Sequence, residues 1–158
     1  MKPKTPWNAE QASALIEERR HEAGAVLPVL HALNEEFGYV DPAAIPLVAH
    51  ALNLSRAEVH GVVSFYHDFR AEPPGTHVLK LCRAEACQSL GADALAARAR
   101  EQLRIDWGET SADGRVTLEP VFCLGLCACA PAAMLDGKVV GGLDQARLDS
   151  LLDKARQP

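Results

Sequence analysis

The chain has 158 residues, of which 48% are hydrophobic and 23% charged, and its formal net charge is -5. This length suits one ordinary domain or a compact domain with a smaller second unit, and the composition is that of a globular protein, not a disordered one. The negative charge does not provide the basic surface that nucleic-acid binders need, so we expect no nucleic-acid partner.

Membrane insertion and export are both disfavoured by the sequence. No apolar run of about 18 residues occurs, and the N-terminal stretch MKPKTPWNAEQ has two lysines without an apolar segment after them. Five cysteines in a chain without an export signal indicate a reducing compartment. There, closely spaced thiols bind metal or do redox chemistry more often than they form disulfides. The expected location is the cytoplasm.

The first part of the chain predicts four short helices. Capping-box patterns at residues 8–11 and 55–58 mark the beginnings of the first and the fourth. The second follows from apolar residues that recur at helical spacing over residues 26–37. Asp41-Pro42 predicts the N-cap and first turn of the third. Together these signals predict an N-terminal helical bundle over residues 1–72.

A break in the pattern follows at AEPPGT, residues 71–76, where two prolines remove backbone donors and a glycine adds flexibility. Beyond it the hydrophobic period changes. HVLKLC, residues 77–82, and RVTLEPVF, residues 115–122, alternate as strands do, and the alanine-rich stretch 89–103 between them is helical. This part of the chain therefore predicts a second domain, over residues 73–158.

The rest of that domain adds two short strands and a helix. AAMLD and KVVGGL are the strands, joined by an Asp136-Gly137 turn, and DQARLDSLLDKA is the final helix. The order strand, helix, strand, strand, strand, helix predicts an α/β domain with a four-stranded mixed sheet, of which the thioredoxin-like fold is the commonest small form. Because a crossover helix makes the first two strands parallel, the loops after them should emerge at one edge of the sheet.

Four of the five cysteines follow those two strands in pairs. Cys82 and Cys87 form a C-x4-C pair in which Cys82 ends the first strand and Cys87 lies in the following loop. Cys123 and Cys127 form a C-x3-C pair in which Cys123 ends the second strand. Gly125 between them accepts a positive φ and lets backbone N–H groups approach sulfur. A helix that begins near Ser89 would also direct its positive end toward Cys87. The four thiols are therefore expected to converge.

Four converging thiols are compatible with several chemistries. The two cysteines of a zinc-binding pair usually enclose two residues, and dithiol oxidoreductases need C-x-x-C. Bacterial [4Fe-4S] sites use a run of cysteines with two-residue gaps, and plant-type [2Fe-2S] sites add a third cysteine two residues after C-x4-C. None of these patterns is present. A [2Fe-2S] cluster takes two thiolates on each iron, which suits two pairs from two loops. The spacing favours that cluster, with a zinc-stapled interaction module and redox-sensing thiols as alternatives.

Three stretches together resemble a known family. LCRAEACQSLGA, CLGLC followed by Ala130-Pro131, and GVVSFYHDFR resemble the thioredoxin-like [2Fe-2S] ferredoxin family, which includes the 24 kDa subunit of respiratory complex I. The resemblance spans essentially the whole chain, and the first half resembles the helical bundle of the family. It implies one [2Fe-2S] cluster, with the ligands Cys82, Cys87, Cys123 and Cys127.

The resemblance also implies a role in a complex. SFYHDFR and CRAEACQS are most similar to the gamma subunit of NAD-dependent, molybdenum-containing formate dehydrogenases. Such a subunit transfers electrons without turning over substrate itself. Its expected partners are a subunit that binds FMN and NAD and, further along, a molybdenum-containing catalytic subunit. Equivalent subunits of complex I or of NAD-reducing hydrogenases are alternatives.

Two further residues matter for the implied cluster. Arg83, beside the first ligand, would offset part of the cluster's charge. Cys129 departs from the family pattern, either as a bystander or as a competitor of Cys127.

Overall fold

The computed structural model describes residues 5–157, which form seven α-helices, one 3-10 helix and one four-stranded sheet. The chain divides into two compact units, Met1–Pro73 and Pro74–Pro158, and the division lies inside the stretch 71–76. Among the described residues, no helix has the length and apolar character needed to cross a membrane. Each unit has its own hydrophobic core.

The first unit contains the four predicted helices, α1 Ala9–Arg19, α2 Val26–Phe37, α3 Ala44–Leu52 and α4 Arg56–Phe65. Asn8 caps α1 through its side chain, which accepts hydrogen bonds from the backbone of Glu10 and Gln11. The capping box predicted for α4 is complete, because Ser55 and Glu58 bond to each other's backbone. Apolar faces of the four helices meet in a core that includes Leu30 and Phe37. The prediction of a helical bundle is confirmed.

The start of α3 differs from the prediction. Asp41 was expected as the N-cap with Pro42 in the first turn, whereas the helix begins at Ala44 and its N-cap is Ala43. The Asp41 carboxylate accepts a hydrogen bond of 2.8 Å from the Ala43 backbone N–H. Asp41 therefore closes a turn that leads into the helix, as Asp side chains do when they bond to the backbone two residues on.

The second unit has the predicted sheet. Its elements are β1 His77–Cys82, α5 Glu85–Ser89, α6 Ala92–Leu103, β2 Val116–Val121, β3 Ala133–Leu135, β4 Lys138–Val140 and α7 Gln145–Arg156. The strand order is β2-β1-β3-β4, with β1 parallel to β2 and the other pairs antiparallel. The expected mixed α/β sheet of a thioredoxin-like fold is confirmed. Pro120 lies in β2, which is an edge strand, where a missing backbone donor is tolerated.

The helix predicted over residues 89–103 begins later than expected. Ser89 is the last residue of the separate short helix α5, and α6 begins at Ala92. Gly91 separates them with a φ of +91°, a left-handed conformation that glycine adopts without steric cost. The division matters for the site, because the short helix α5 carries a cysteine.

The core of the second unit fixes where β1 and β2 end. Leu79 of β1 and Leu118 of β2 are paired in register and fully buried, and Leu148 of α7 packs in the same core. The register pairs Cys82 with Val121 at the carboxyl ends of both strands. The segments that follow β1 and β2 therefore start side by side at one edge of the sheet.

Candidate functional site

The first cysteine loop, residues 82–87, is built into the fold. Cys82 is the last residue of β1, as predicted, and Cys87 lies within α5, not in an irregular loop. Each is 2% exposed, and both pack in a small apolar cluster with Ala92 and Ala132. Because α6 starts at Ala92, the predicted helix start near Ser89 is wrong, and no helix N-terminus lies at that position.

The second cysteine loop, residues 123–127, lies at the surface. The strand β2 ends at Val121, so the expectation that Cys123 ends it is wrong by two residues. Both Cys123 and Cys127 are exposed, and Cys127 opens the 3-10 helix Cys127–Cys129. Gly125 has a φ of +74°, and its backbone N–H donates to the Cys123 sulfur at 3.3 Å. The predicted N–H···S contact of this loop is thus present.

The cysteines approach one another as two pairs. Cys82 lies beside Cys87 and Cys123 beside Cys127, each pair within hydrogen-bonding reach, and Cys127 also interacts electrostatically with both Cys82 and Cys87. All five cysteines are free thiols. Within residues 5–157, no three His, Cys, Asp or Glu side chains are gathered closely enough to hold a single metal ion. The arrangement is two thiol pairs, of which the second approaches the first through Cys127.

This crowding disfavours thiolates in the absence of a cation. Burial, followed by a hydrogen bond with Cys82, raises the pKa of the Cys87 thiol, and a hydrogen bond from the Ala132 backbone partly opposes the rise. For Cys127, a hydrogen bond with the Cys123 thiol is the largest of the causes that raise the pKa. The neighbouring sulfurs thus repel each other's negative charge, which a bound cation would neutralise.

Backbone hydrogen bonds join the first cysteine loop to the segments on either side of the second. The Arg83 N–H donates to the Val121 carbonyl at 2.7 Å, which extends the β1–β2 pairing beyond the sheet. The Cys82 N–H donates to the Ala132 carbonyl at 3.0 Å. Ala132 follows Pro131, whose peptide bond with Ala130 is cis. The start of the first cysteine loop is therefore tied to the chain on both sides of the second loop.

The Arg83 guanidinium beside Cys82 is already partnered. Its Nη2 lies 2.9 Å from an Asp93 carboxylate oxygen, and its Cζ lies 5.4 Å from the centre of the Trp107 ring. Its Nε is buried and has no hydrogen-bond partner among the described residues. Arg83 thus follows Cys82 directly in the chain, but its guanidinium contacts Asp93 and Trp107, and Asp93 cancels part of its field.

A comparison with protein families agrees with this geometry. The model of the family described as thioredoxin-like [2Fe-2S] ferredoxin matches residues 12–156. The chain belongs to this family. The cofactor of the thioredoxin-like [2Fe-2S] ferredoxins is one [2Fe-2S] cluster, and the residues at the sheet edge fit it. Four free thiols lie there as two neighbouring pairs, and backbone N–H groups donate to the sulfurs of Cys123 and Cys87.

Relatives within the family are components of oxidoreductases. The chain is 37% identical over 147 residues to an NADH-quinone oxidoreductase subunit of Rhizobium meliloti, with 93% of this chain and 86% of that protein covered. It is 35% identical over 137 residues to the NADP-reducing hydrogenase subunit HndA of Solidesulfovibrio fructosivorans, with 87% and 80% covered.

A solved structure is also similar. A crystal structure of an NAD+-reducing [NiFe]-hydrogenase in the air-oxidized state matches with a TM-score of 0.71 and 29% identity, over 89% of this chain. The match covers 24% of the hydrogenase chain, so this ferredoxin-family chain spans about a quarter of that protein's length.

Two features of the site were not predicted from the sequence. The helix α5 is only five residues long, too short for a periodic signal, although Glu85, Ala86 and Gln88 are good helix formers. Residues 141–143 were assigned to the end of a strand, whereas β4 ends at Val140 and this segment packs on the Cys127–Cys129 turn. Two successive glycines are the available signal, since glycine often marks a close approach of backbones.

Proposed function

We propose that Cys82 and Cys87 bind one iron of a [2Fe-2S] cluster and that Cys123 and Cys127 bind the other. The observation that carries the proposal is the arrangement of four free thiols as two pairs, from two loops that leave parallel strands at one sheet edge. Each iron of such a cluster takes two thiolates, so the pairing matches its demand. When bound, the cluster takes up and releases one electron at a time.

The protein's own groups have distinct roles in this proposal. The buried pair anchors the site in the fold, and the exposed pair faces a redox partner. The Gly125 N–H, at 3.3 Å from the Cys123 sulfur, stabilises negative charge on that ligand. Phe122 precedes Cys123 and is 72% exposed, so an apolar side chain is available beside the exposed loop for contact with a partner.

At the level of the complex, we propose an electron-transfer subunit of an NAD-linked oxidoreductase, which turns over no substrate alone. The names of the relatives support this role, since both are subunits of oxidoreductases that use nicotinamide nucleotides. The partner would be a flavin- and NAD-binding subunit. The finer assignment is a cytoplasmic NAD-dependent formate dehydrogenase with a molybdenum-containing catalytic subunit, supported by SFYHDFR and CRAEACQS. The equivalent subunit of complex I or of an NAD-reducing hydrogenase is the alternative.

The proposed role can be tested by isolating the native complex anaerobically through an affinity tag on this chain. We expect a flavin- and NAD-binding subunit and a molybdenum subunit to co-purify, and we expect NADH or formate to produce the EPR signal of a reduced [2Fe-2S] cluster. The Cys123→Ala variant is the control that assigns the signal to this chain. Co-purification of hydrogenase or quinone-linked subunits would overturn the formate assignment. Failure of NADH to reduce the cluster in the intact complex would overturn the wider role.

A further inference from the structure

The segment 141–143 lies directly against the end of the second cysteine loop. The Gly142 N–H donates to the Cys129 carbonyl at 2.5 Å, and the Leu143 N–H donates to the Pro131 carbonyl at 2.8 Å. A Cβ atom at Gly141 would lie 2.8 Å from the Cβ of Cys129 and 3.0 Å from its carbonyl oxygen. No side chain fits between these backbones, so Gly141 allows a contact that any other residue would push apart.

Arg147 holds this segment from the other side. It lies in the first turn of α7, where its own N–H bonds to the Asp144 cap, and its Nη1 donates to the carbonyls of Gly141 and Gly142, both at 3.0 Å. One charged donor therefore fixes two successive peptide groups. Charge-assisted bonds of this kind are stronger than neutral ones.

Ala132, which follows one of the residues on which segment 141–143 packs, contacts the first cysteine loop. The Ala132 carbonyl accepts a hydrogen bond from the Cys82 N–H, and the Ala132 backbone bonds to the Cys87 sulfur. Segment 129–132 is thus bonded on one side to segment 141–143 and on the other to the buried cysteines. A displacement of segment 141–143 therefore changes the position of the Cys127–Cys129 turn relative to Cys82 and Cys87.

We infer that Arg147 and Gly141 are positioning residues for the cluster. Through segment 141–143 they set the distance between the exposed ligand Cys127 and the buried ligand pair. Neither residue is proposed as a ligand of the cluster. The inference rests on the ligand assignment of the proposed function. It extends the site to residues 141–147, which the cysteine spacing does not indicate.

The test compares Arg147→Gln and Gly141→Ala with the wild type in the full chain, each purified anaerobically with its cluster. We expect altered g-values in the EPR spectrum of the reduced cluster and roughly tenfold faster release of iron to a chelator, the lower range for losses of outer-shell contacts. Arg147→Lys keeps the charge and can still donate to both carbonyls, so it should restore much of the wild-type behaviour.

Two controls separate positioning from general effects. Arg156→Gln removes an arginine whose Nη2 also donates to a backbone carbonyl, that of Gln102, from the far end of the same helix. Gly61→Ala adds a methyl group where nothing lies within 4 Å. Both should keep the wild-type spectrum and release rate.

Each outcome has a defined meaning. An Arg147→Gln variant with the EPR spectrum and iron release of the wild type would overturn the inference. If Gly141→Ala does not fold, the result for Arg147→Gln decides the test by itself. Two other results would instead overturn the proposed function: a wild-type protein that contains no cluster, or a Cys127→Ser variant whose cluster is unchanged. Effects in Arg156→Gln equal to those in Arg147→Gln would also contradict positioning, because loss of charge would then explain both.

Discussion

The two cysteine loops occupy the same sheet edge but are held by different means. In the first, Cys82 and Cys87 are buried in regular structure and packed among alanines. In the second, Cys123 and Cys127 are exposed, and the loop takes its shape from Gly125 and from backbone hydrogen bonds. One cysteine pair is therefore fixed by the core of the domain and the other by polar contacts at its surface.

This difference suits a site that must be both stable and accessible. A buried pair resists displacement because its movement would expose apolar neighbours. An exposed pair would hold its part of the proposed cluster at the surface, where a redox partner could dock. The same exposure leaves the second loop dependent on neighbouring segments. Substitutions in the two loops should therefore have different consequences.

The largest effect is expected from removal of a ligand. Cys87→Ala and Cys123→Ala should each abolish the visible absorbance and the EPR signal of the [2Fe-2S] cluster, because a thiolate is lost from one iron. Circular dichroism should show that the helices of the first unit stay folded in both. A cluster retained in either variant would contradict the assignment of that ligand.

The same pair of variants should differ in the stability of the cluster-free protein. Cys87→Ala removes a buried side chain and should lower the free energy of unfolding by about 1–2 kcal/mol, while the exposed Cys123→Ala should change it by less than about 0.5 kcal/mol. Urea denaturation of the two apoproteins measures this. Equal losses of unfolding free energy in the two variants would show that the first loop is not held by the core more firmly than the second.

A smaller effect is expected from Gly125→Ala. A Cβ at a φ of +74° costs about 1 kcal/mol of local strain, although it would meet nothing within 4 Å. Relief of that strain should move the N–H away from the Cys123 sulfur, lower the midpoint potential and speed loss of the cluster. Gly108→Ala is the matched control, since Gly108 has a φ of +80° and equally open space. An unchanged potential in Gly125→Ala would argue against the N–H···S contact.

A still smaller shift is expected from Arg83→Gln. Loss of the positive charge on the residue that follows Cys82 should lower the midpoint potential, because the reduced cluster carries more negative charge. The shift should be slight, since Asp93 already cancels part of the field of Arg83. A redox titration measures it, with Arg98→Gln as the control because Arg98 is likewise paired, with Asp149. A raised potential in Arg83→Gln would refute this reasoning.

Cys129→Ala should have no effect on the cluster. The contacts of Cys129 with segment 141–143 involve its carbonyl and its Cβ, both of which alanine keeps. The EPR spectrum and iron content should equal those of the wild type. Loss of the signal would instead make Cys129 a ligand in competition with Cys127.

The strand that carries Cys82 and the parallel pairing of β1 with β2 were predictable from the sequence, whereas the helix that carries Cys87 and the contacts of segment 141–143 were not. Alternation in HVLKLC placed Cys82 at the end of a strand, and the crossover pattern predicted the parallel pairing that brings the loops together. The place of Cys87 in a helix was missed because α5 is shorter than two turns. The contacts of segment 141–143 join residues that lie apart in the sequence, and no local pattern encodes such a contact. The N-cap of α3 was predicted at Asp41, two residues before the observed N-cap, because Asp side chains close turns and cap helices with similar hydrogen bonds.

The central claim is that four thiols from two loops share one pair of irons. Its most direct test is metal and sulfide analysis of the anaerobically purified chain, together with EPR after dithionite reduction. The account predicts about two irons and two sulfides per chain and the signal of one reduced [2Fe-2S] cluster. Stoichiometric zinc without iron, in a protein that gives no such signal, would contradict it.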